Sequence, residues 1–340
     1  MEGPVAEPRL GRPTRKVPLL VCAAIGAAGL LADVPKVEIR EWDVPSPRSR
    51  PHDPAVAPDG ALWWTGQLAN KLGRLDPASG ALREFPLTTP DSGPHGLAAD
   101  ADGNIWFTAN FKAYIGKLVP ATGRVTEYPM PDRRARDPHS LVFDGNGTIF
   151  FTTQESNFIG RLDPKSGQIA VKDVPTAHAL PYGIVIGPDG APYFCEFGSN
   201  KIGRIDPATL AIHEFVLPEG ARPRRIARHP DGLLYYSDFA RGYLGRLDTA
   251  TGKVQEWPTP SGPGSQPYGI AATADGVVWY SESGVKPNTL VAFDPKAASF
   301  QKWPIPSGGG VVRNMVATPD GRLYLACSGV NKVAVARVAR

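Results

Sequence analysis

Gly93-Pro94-His95-Gly96-Leu97-Ala98-Ala99, followed by Asp102-Gly103 and then Ile105-Trp106-Phe107-Thr108, is the stretch that decides the fold. A small apolar run reaches an Asp-Gly pair, the signature of a tight two-residue hairpin, and the chain returns as a bulky β-branched and aromatic run. Two further runs complete the unit. Tyr114-Ile115-Gly116-Lys117-Leu118 is a third strand, Pro120-Ala121-Thr122-Gly123 a turn, and Arg124-Val125-Thr126-Glu127-Tyr128 a more polar outer strand.

The unit recurs along the whole chain. Its openings are Pro51-His52, Pro94-His95, Pro138-His139, Pro181-Tyr182, Pro223-Arg224, Pro267-Tyr268 and a degenerate Arg313-Asn314, spaced by 42 to 46 residues. That period is one propeller blade of four short strands, and the units lack the helix-period apolar spacing of helical repeats. The Asp-Gly turn returns at Asp59-Gly60, Asp189-Gly190, Asp231-Gly232, Asp275-Gly276 and Asp320-Gly321, with Asn146-Gly147 in the third unit. Seven units predict an all-β, seven-bladed β-propeller with four strands per blade. The last unit stops after its third strand, Lys332-Val333-Ala334-Val335-Ala336, whereas Val37-Glu38-Ile39-Arg40-Glu41-Trp42 near the start has the pattern of an outer strand such as Arg83-Glu84-Phe85-Pro86. The N-terminal segment is therefore expected to supply the outer strand of blade seven, closing the ring and removing an open sheet edge. Length alone would suggest about two domains, but the uninterrupted repeat predicts one, over residues 37–340.

Ahead of the repeat, basic residues up to Lys16 precede an apolar run from Val17 to Ala32. Residues 1–32 read as a signal peptide or N-terminal anchor, so the protein is expected to be exported, periplasmic or extracellular, and membrane-attached only if the leader stays uncleaved. The formal net charge is +4. The clusters Arg133-Arg134-Arg136 and Arg222-Arg224-Arg225-Arg228 are not interleaved with aromatics on a nucleic-acid-binding motif, so nucleic acid is not an expected partner. A monomer is expected. Cys195 and Cys327 fall in blades four and seven, which are not neighbours, and read as small buried strand residues rather than a disulfide. Neither a phosphate-binding Gly-rich loop nor paired zinc-spaced histidines on a helix occurs.

A propeller hosts many activities, so function has to be read from a site. The Asp-Gly hairpin reverses the chain, which puts the start of each innermost strand and the end of each second strand on one face. Two rings are expected around that channel mouth. One holds His52, His95, His139, Tyr182, Arg224, Tyr268 and Asn314; the other holds Gly66, Ala109, Thr153, Glu196, Asp238, Glu282 and Cys327. A histidine sector would then face an acidic sector across a polar ligand, a small molecule or a cyclic peptide. The plainer alternative is that each Pro-polar pair orders its own blade opening through nearby backbone.

The blocks Gly93-Pro94-His95-Gly96-Leu97, Ile105-Trp106-Phe107-Thr108, Ile202-Gly203-Arg204-Ile205-Asp206 and Val125-Thr126-Glu127-Tyr128-Pro129 resemble those of the virginiamycin B lyase (streptogramin B lyase) family of seven-bladed propellers. The resemblance covers about residues 37–340 and is carried mostly by blade-building residues. It implies, for members with lyase activity, opening of a cyclic depsipeptide at its ester bond by elimination, with Mg²⁺ assisting and a histidine as base. The family's catalytic pattern is Glu-Pro-His in the final blade, a second Glu after the next strand, and Pro-His opening the blade before. Here the final blade reads Val312-Arg313-Asn314, its next strand ends in Cys327-Ser328-Gly329, and blade six opens with Pro267-Tyr268. The same chemical types recur in blades two and three, as Asp137-Pro138-His139, Glu155 and Pro94-His95. In that displaced register His139 is the expected base, Asp137 and Glu155 the expected Mg²⁺ ligands, and the mouth residues the expected substrate contacts. Two functions follow: a metal-assisted lyase, or a non-catalytic propeller that binds a polar ligand, a cell-wall fragment or a protein partner.

Overall fold

A computed structural model describes residues 36–339, and the leader read at residues 1–32 lies outside that range. Seven four-stranded antiparallel sheets form seven blades. Blade one shows the order: innermost strand Pro51–Val56, then Leu62–Gly66, Lys71–Leu75 and an outer strand Leu82–Pro86. Blade seven takes Val312–Ala317, Leu323–Cys327 and Lys332–Ala339 from the chain end and Lys36–Asp43 from its start. That outer strand pairs along its whole length, from Lys36 opposite Ala339 to Asp43 opposite Lys332. Asn331 clasps the junction, accepting the Ser49 N–H at 2.8 Å and donating to the Val44 and Ser46 carbonyls.

The alternation of the strands explains where the core sits. Second strands are buried on both faces because each blade packs on two neighbours, which is why they read as continuous bulky runs such as Ile105–Ala109. Trp106 and Phe107 point to opposite faces and enter different core clusters, one toward each neighbouring blade. Hairpin glycines such as Gly103, at φ +79°, adopt the left-handed backbone that the tight turn requires. Among the described residues no helix is long and apolar enough to cross a membrane.

Every innermost strand carries a bulge next to the mouth. Pro51 is opposite Gly66, yet Pro54 is opposite Trp64, so one extra residue is accommodated on the inner strand, and the same shift occurs in all seven blades. A bulge frees a backbone N–H and re-aims side chains. A hydroxyl on the second strand takes up the freed group. Thr108 Oγ1 accepts the Gly96 N–H at 2.7 Å and donates to the His139 carbonyl of the next blade at 2.8 Å. Thr65, Thr152 and Ser237 make the equivalent bridges. Where the aromatic run ends in Thr or Ser, that residue is thus a stitch between blades; Cys195 and Ala326 take its place in blades four and seven.

Candidate functional site

The bulge pairing also sets the register of the mouth ring. Val312 is opposite Cys327 as Pro51 is opposite Gly66, so the seventh member of the ring is Arg313. The sequence-based expectation had placed Asn314 there. Without a proline to mark the blade opening, the degenerate pair was read one residue late.

The ring side chains close the channel instead of surrounding an open mouth. His52, His95, His139 and Tyr182 stack in sequence, with ring centroids 3.6, 3.8 and 4.0 Å apart. All four are buried, His139 at 1% exposure. The Tyr182 hydroxyl bonds the Tyr268 hydroxyl, and the Arg224 guanidinium lies 3.8 Å from the Tyr268 ring centroid and 5.1 Å from that of Tyr182. Each ring histidine has a partner at Nδ1. His52 Nδ1 lies 2.9 Å from Asp53 Oδ1, His95 Nδ1–H donates to the His139 carbonyl at 3.0 Å, and His139 Nδ1 lies 3.0 Å from Ser140 Oγ. Burial pushes all three imidazoles well below their ordinary pKa, and nearby arginines push further in the same direction, Arg313, Arg225, Arg50 and Arg224 acting on His52. Burial in the stack thus favours the neutral form of all three imidazoles.

One residue deeper is a second layer. Arg225 crosses the channel from blade five, donating from Nη2 to Asp53 Oδ1 at 2.6 Å and from Nη1 to Asp53 Oδ2 and Ser140 Oγ, each at 3.2 Å. Gly96, Gly183 and Gly269 hold the same level in the remaining inner strands, apart from Asn314. A Cβ on Gly183 would fall 2.9 Å from the Arg225 Cα and 3.2 Å from its Cδ, so the glycine gives the crossing arginine its path. Below this layer a cavity of about 660 Å³ opens on the opposite, Asp-Gly hairpin face.

The three acids expected at the mouth are fully buried and turn to their own blades. Asp238 accepts the Arg222 N–H and pairs with Arg241, while Glu282 accepts from Ser261 and Thr289. Glu196 accepts from Ser199, and burial pushes its carboxyl up to about 7. These residues clamp loops. Strand alternation is the reason: the next residue along faces the channel, and in blades four and five that residue is Phe197 or Phe239. Their rings lie 4.7 and 4.2 Å from the Arg224 guanidinium.

Asp137 and Glu155 are brought together, but through backbone. The Asp137 carboxylate accepts the Glu155 N–H at 2.5 Å and the Ser156 N–H at 3.0 Å, and it also bonds the Ser156 hydroxyl. Both Asp137 oxygens are thus engaged in holding a turn. Among the described residues, the cluster with metal-ligand spacing is His52, Asp53 and His95. Its carboxylate is held by Arg225, and two imidazoles with one such oxygen do not suit an oxygen-seeking hard cation.

What remains accessible at the mouth is cationic. Arg50, Arg224 and Arg313 are half-buried there, and none of the three makes an ion pair among the described residues. Arg50 is held below its ordinary pKa by burial and by Arg313 beside it. Sequence reading missed Arg50, Arg225, Asp53, Phe197 and Phe239. All five immediately adjoin residues that were named.

Comparison with known proteins places this geometry in a family context. The model of the virginiamycin B lyase family matches residues 24–261. A solved streptogramin B lyase is 30% identical, covering 89% of this chain and 98% of its own, with a TM-score of 0.81. The virginiamycin B lyase of Staphylococcus aureus is 26% identical, with 88% and 99% covered and a TM-score of 0.79. A catalytically inactive form of that enzyme with quinupristin is 25% identical over the same shares, also at a TM-score of 0.79. No curated protein matches the sequence.

Proposed function

The chain belongs to the virginiamycin B lyase family, and from that premise we propose that it is a non-catalytic binding propeller whose mouth takes an anionic ligand. The observation that carries this reading is the set Arg50, Arg224 and Arg313, three half-buried guanidiniums without acidic partners among the described residues, around a sealed ring. Burial, and Arg313 after it, disfavour the charge on Arg50, a cost that a bound anion would relieve. Arg224 is held flat among Tyr182, Phe197, Phe239 and Tyr268, which leaves its edge for a carboxylate or phosphate. If the leader directs export, a carboxylate-bearing cell-wall fragment is the natural class of ligand.

Several features weigh against streptogramin-lyase chemistry at this mouth. In the pairing register, Arg313 stands where the family pattern has its final-blade histidine and Val311 where it has the preceding acid. The displaced set fares no better: His139 is sealed in the stack as a weakened base, and Asp137 serves a turn.

Calorimetric titration of N-acetylmuramic acid against N-acetylglucosamine tests the proposal, because the two differ by a lactyl ether that carries the carboxylate. Binding of the acid alone, lost in Arg50→Gln/Arg313→Gln, is the expected result. Incubation with quinupristin tests the lyase alternative in parallel. Elimination would give a chromatographically shifted product of unchanged mass, and that product, lost in His139→Ala, would overturn the binding reading.

A further inference from the structure

The cavity on the hairpin face is separate from the mouth. The stacked ring and the Arg225 layer lie between them, and its lining comes from the inner strands of all seven blades. Its lining is mixed: the partly buried apolar side chains Val56, Ala98, Val142, Ile184 and Val316 share it with polar groups such as Asp53, Ser140, Arg225 and Asn314. Leaving that much apolar surface in water is unfavourable, at about 25 cal/mol per Å². The floor is polar and already neutral, because Asp53 holds Arg225 through both carboxylate oxygens.

One donor at the floor is unused. Asn314 Oδ1 accepts the Met315 N–H at 3.0 Å, which fixes the amide orientation and leaves Nδ2 without a protein partner among the described residues. That nitrogen is absent from the buried orphan atoms, so a molecule in the lumen can reach it, while Arg225 Nε is a second, more deeply buried donor without a partner. A carboxylate would be set beside Asp53 with no net positive charge to receive it. A carbonyl or ether oxygen meets no such penalty.

We propose that the hairpin-face cavity is a second ligand site, for a small neutral molecule with an apolar body and one hydrogen-bond-accepting oxygen seated on Asn314. Its volume falls within the range of small-molecule pockets.

The methionines give a direct test. Met315 lines this cavity, whereas Met130 lies in a loop after the outer strand of blade two and serves as an internal control. The full chain, labelled at its methionine methyls, is titrated with 2-adamantanone and separately with adamantane-1-carboxylate. The ketone is expected to shift the Met315 methyl saturably, with a Kd under about 1 mM, and to leave Met130 unmoved. Asn314→Leu should weaken the ketone about three- to tenfold, Val142→Trp should fill the lumen and abolish the shift, and the carboxylate should bind at least about tenfold more weakly. An unmoved Met315, a shift that survives Val142→Trp in folded protein, or equal binding of ketone and carboxylate would overturn the proposal. Should Val142→Trp fail to fold, the Asn314→Leu comparison carries the test.

Discussion

The two ends of the channel are built from the same seven strands and differ in one respect, the size of the side chains at successive positions. At the mouth, every ring position carries a histidine, tyrosine or arginine, and the rings stack until the channel is sealed. One residue deeper, three glycines leave room for a single crossing arginine. Beyond that, small and β-branched residues leave a lumen of about 660 Å³. The blade backbone repeats throughout, so an open or closed channel is a choice made by side chains. The sealed end is also the end where the bulges, the hydroxyl stitches and the buried charge pair concentrate. Close ring packing is thus gathered at one face, and an open lumen of mixed polar and apolar lining at the other.

This contrast can be broken most severely with acid. The three ring histidines are neutral in the fold with depressed pKa values, while the unfolded chain protonates near 6.5. The unfolded state therefore binds more protons below that pH. Their contribution is fully present above about pH 6.5 and is lost as pH falls, at about 1.4 kcal/mol per unit for each group and about 4 kcal/mol per unit together. Denaturant unfolding at a series of pH values should show this slope, and His139→Gln should reduce it by about a third. A flat profile between neutrality and pH 5 would mean that the ring is open to solvent.

Asp53→Ala should cost about 3–5 kcal/mol, because it strands the Arg225 charge in the layer that separates the two ends. Asp53→Ala with Arg225→Met should recover most of that loss, since neither charge then remains. Equal destabilisation by the single and double variants would show that the layer acts through packing alone.

The smallest effects sharpen the comparison. His139→Ala removes a ring from a sealed stack and should cost roughly 2–4 kcal/mol, although a side chain at a channel mouth would ordinarily add little to the core. Val142→Ala, on the lumen wall, should cost under about 1 kcal/mol. Thermal melts of the pair that shift equally would remove the distinction between a packed and an open end.

Much of this was legible in residue order. The hairpin pairs, the aromatic runs and the orphan outer strand at the start identify blade, count and closure, because each is a local pattern with one period. The mouth was legible as a set of positions, and six of the seven ring residues were read correctly. The error came in blade seven, where no proline marks the opening. The acids were misread for a related reason: a strand's two faces alternate, so a one-residue uncertainty exchanges a channel-facing group for a loop clamp, as with Glu196 and Phe197.

The sequence by itself determined a seven-bladed propeller, because strand period and turn chemistry are properties of neighbouring residues. Only the tertiary structure decided that the histidines seal the channel, that Asp53 meets Arg225 across it, and that three arginines at the mouth have no acidic partner among the described residues. Those facts depend on which side chains of distant blades converge on one axis. Convergence of that kind is set by bulge register and ring closure, to which no local pattern in the chain responds.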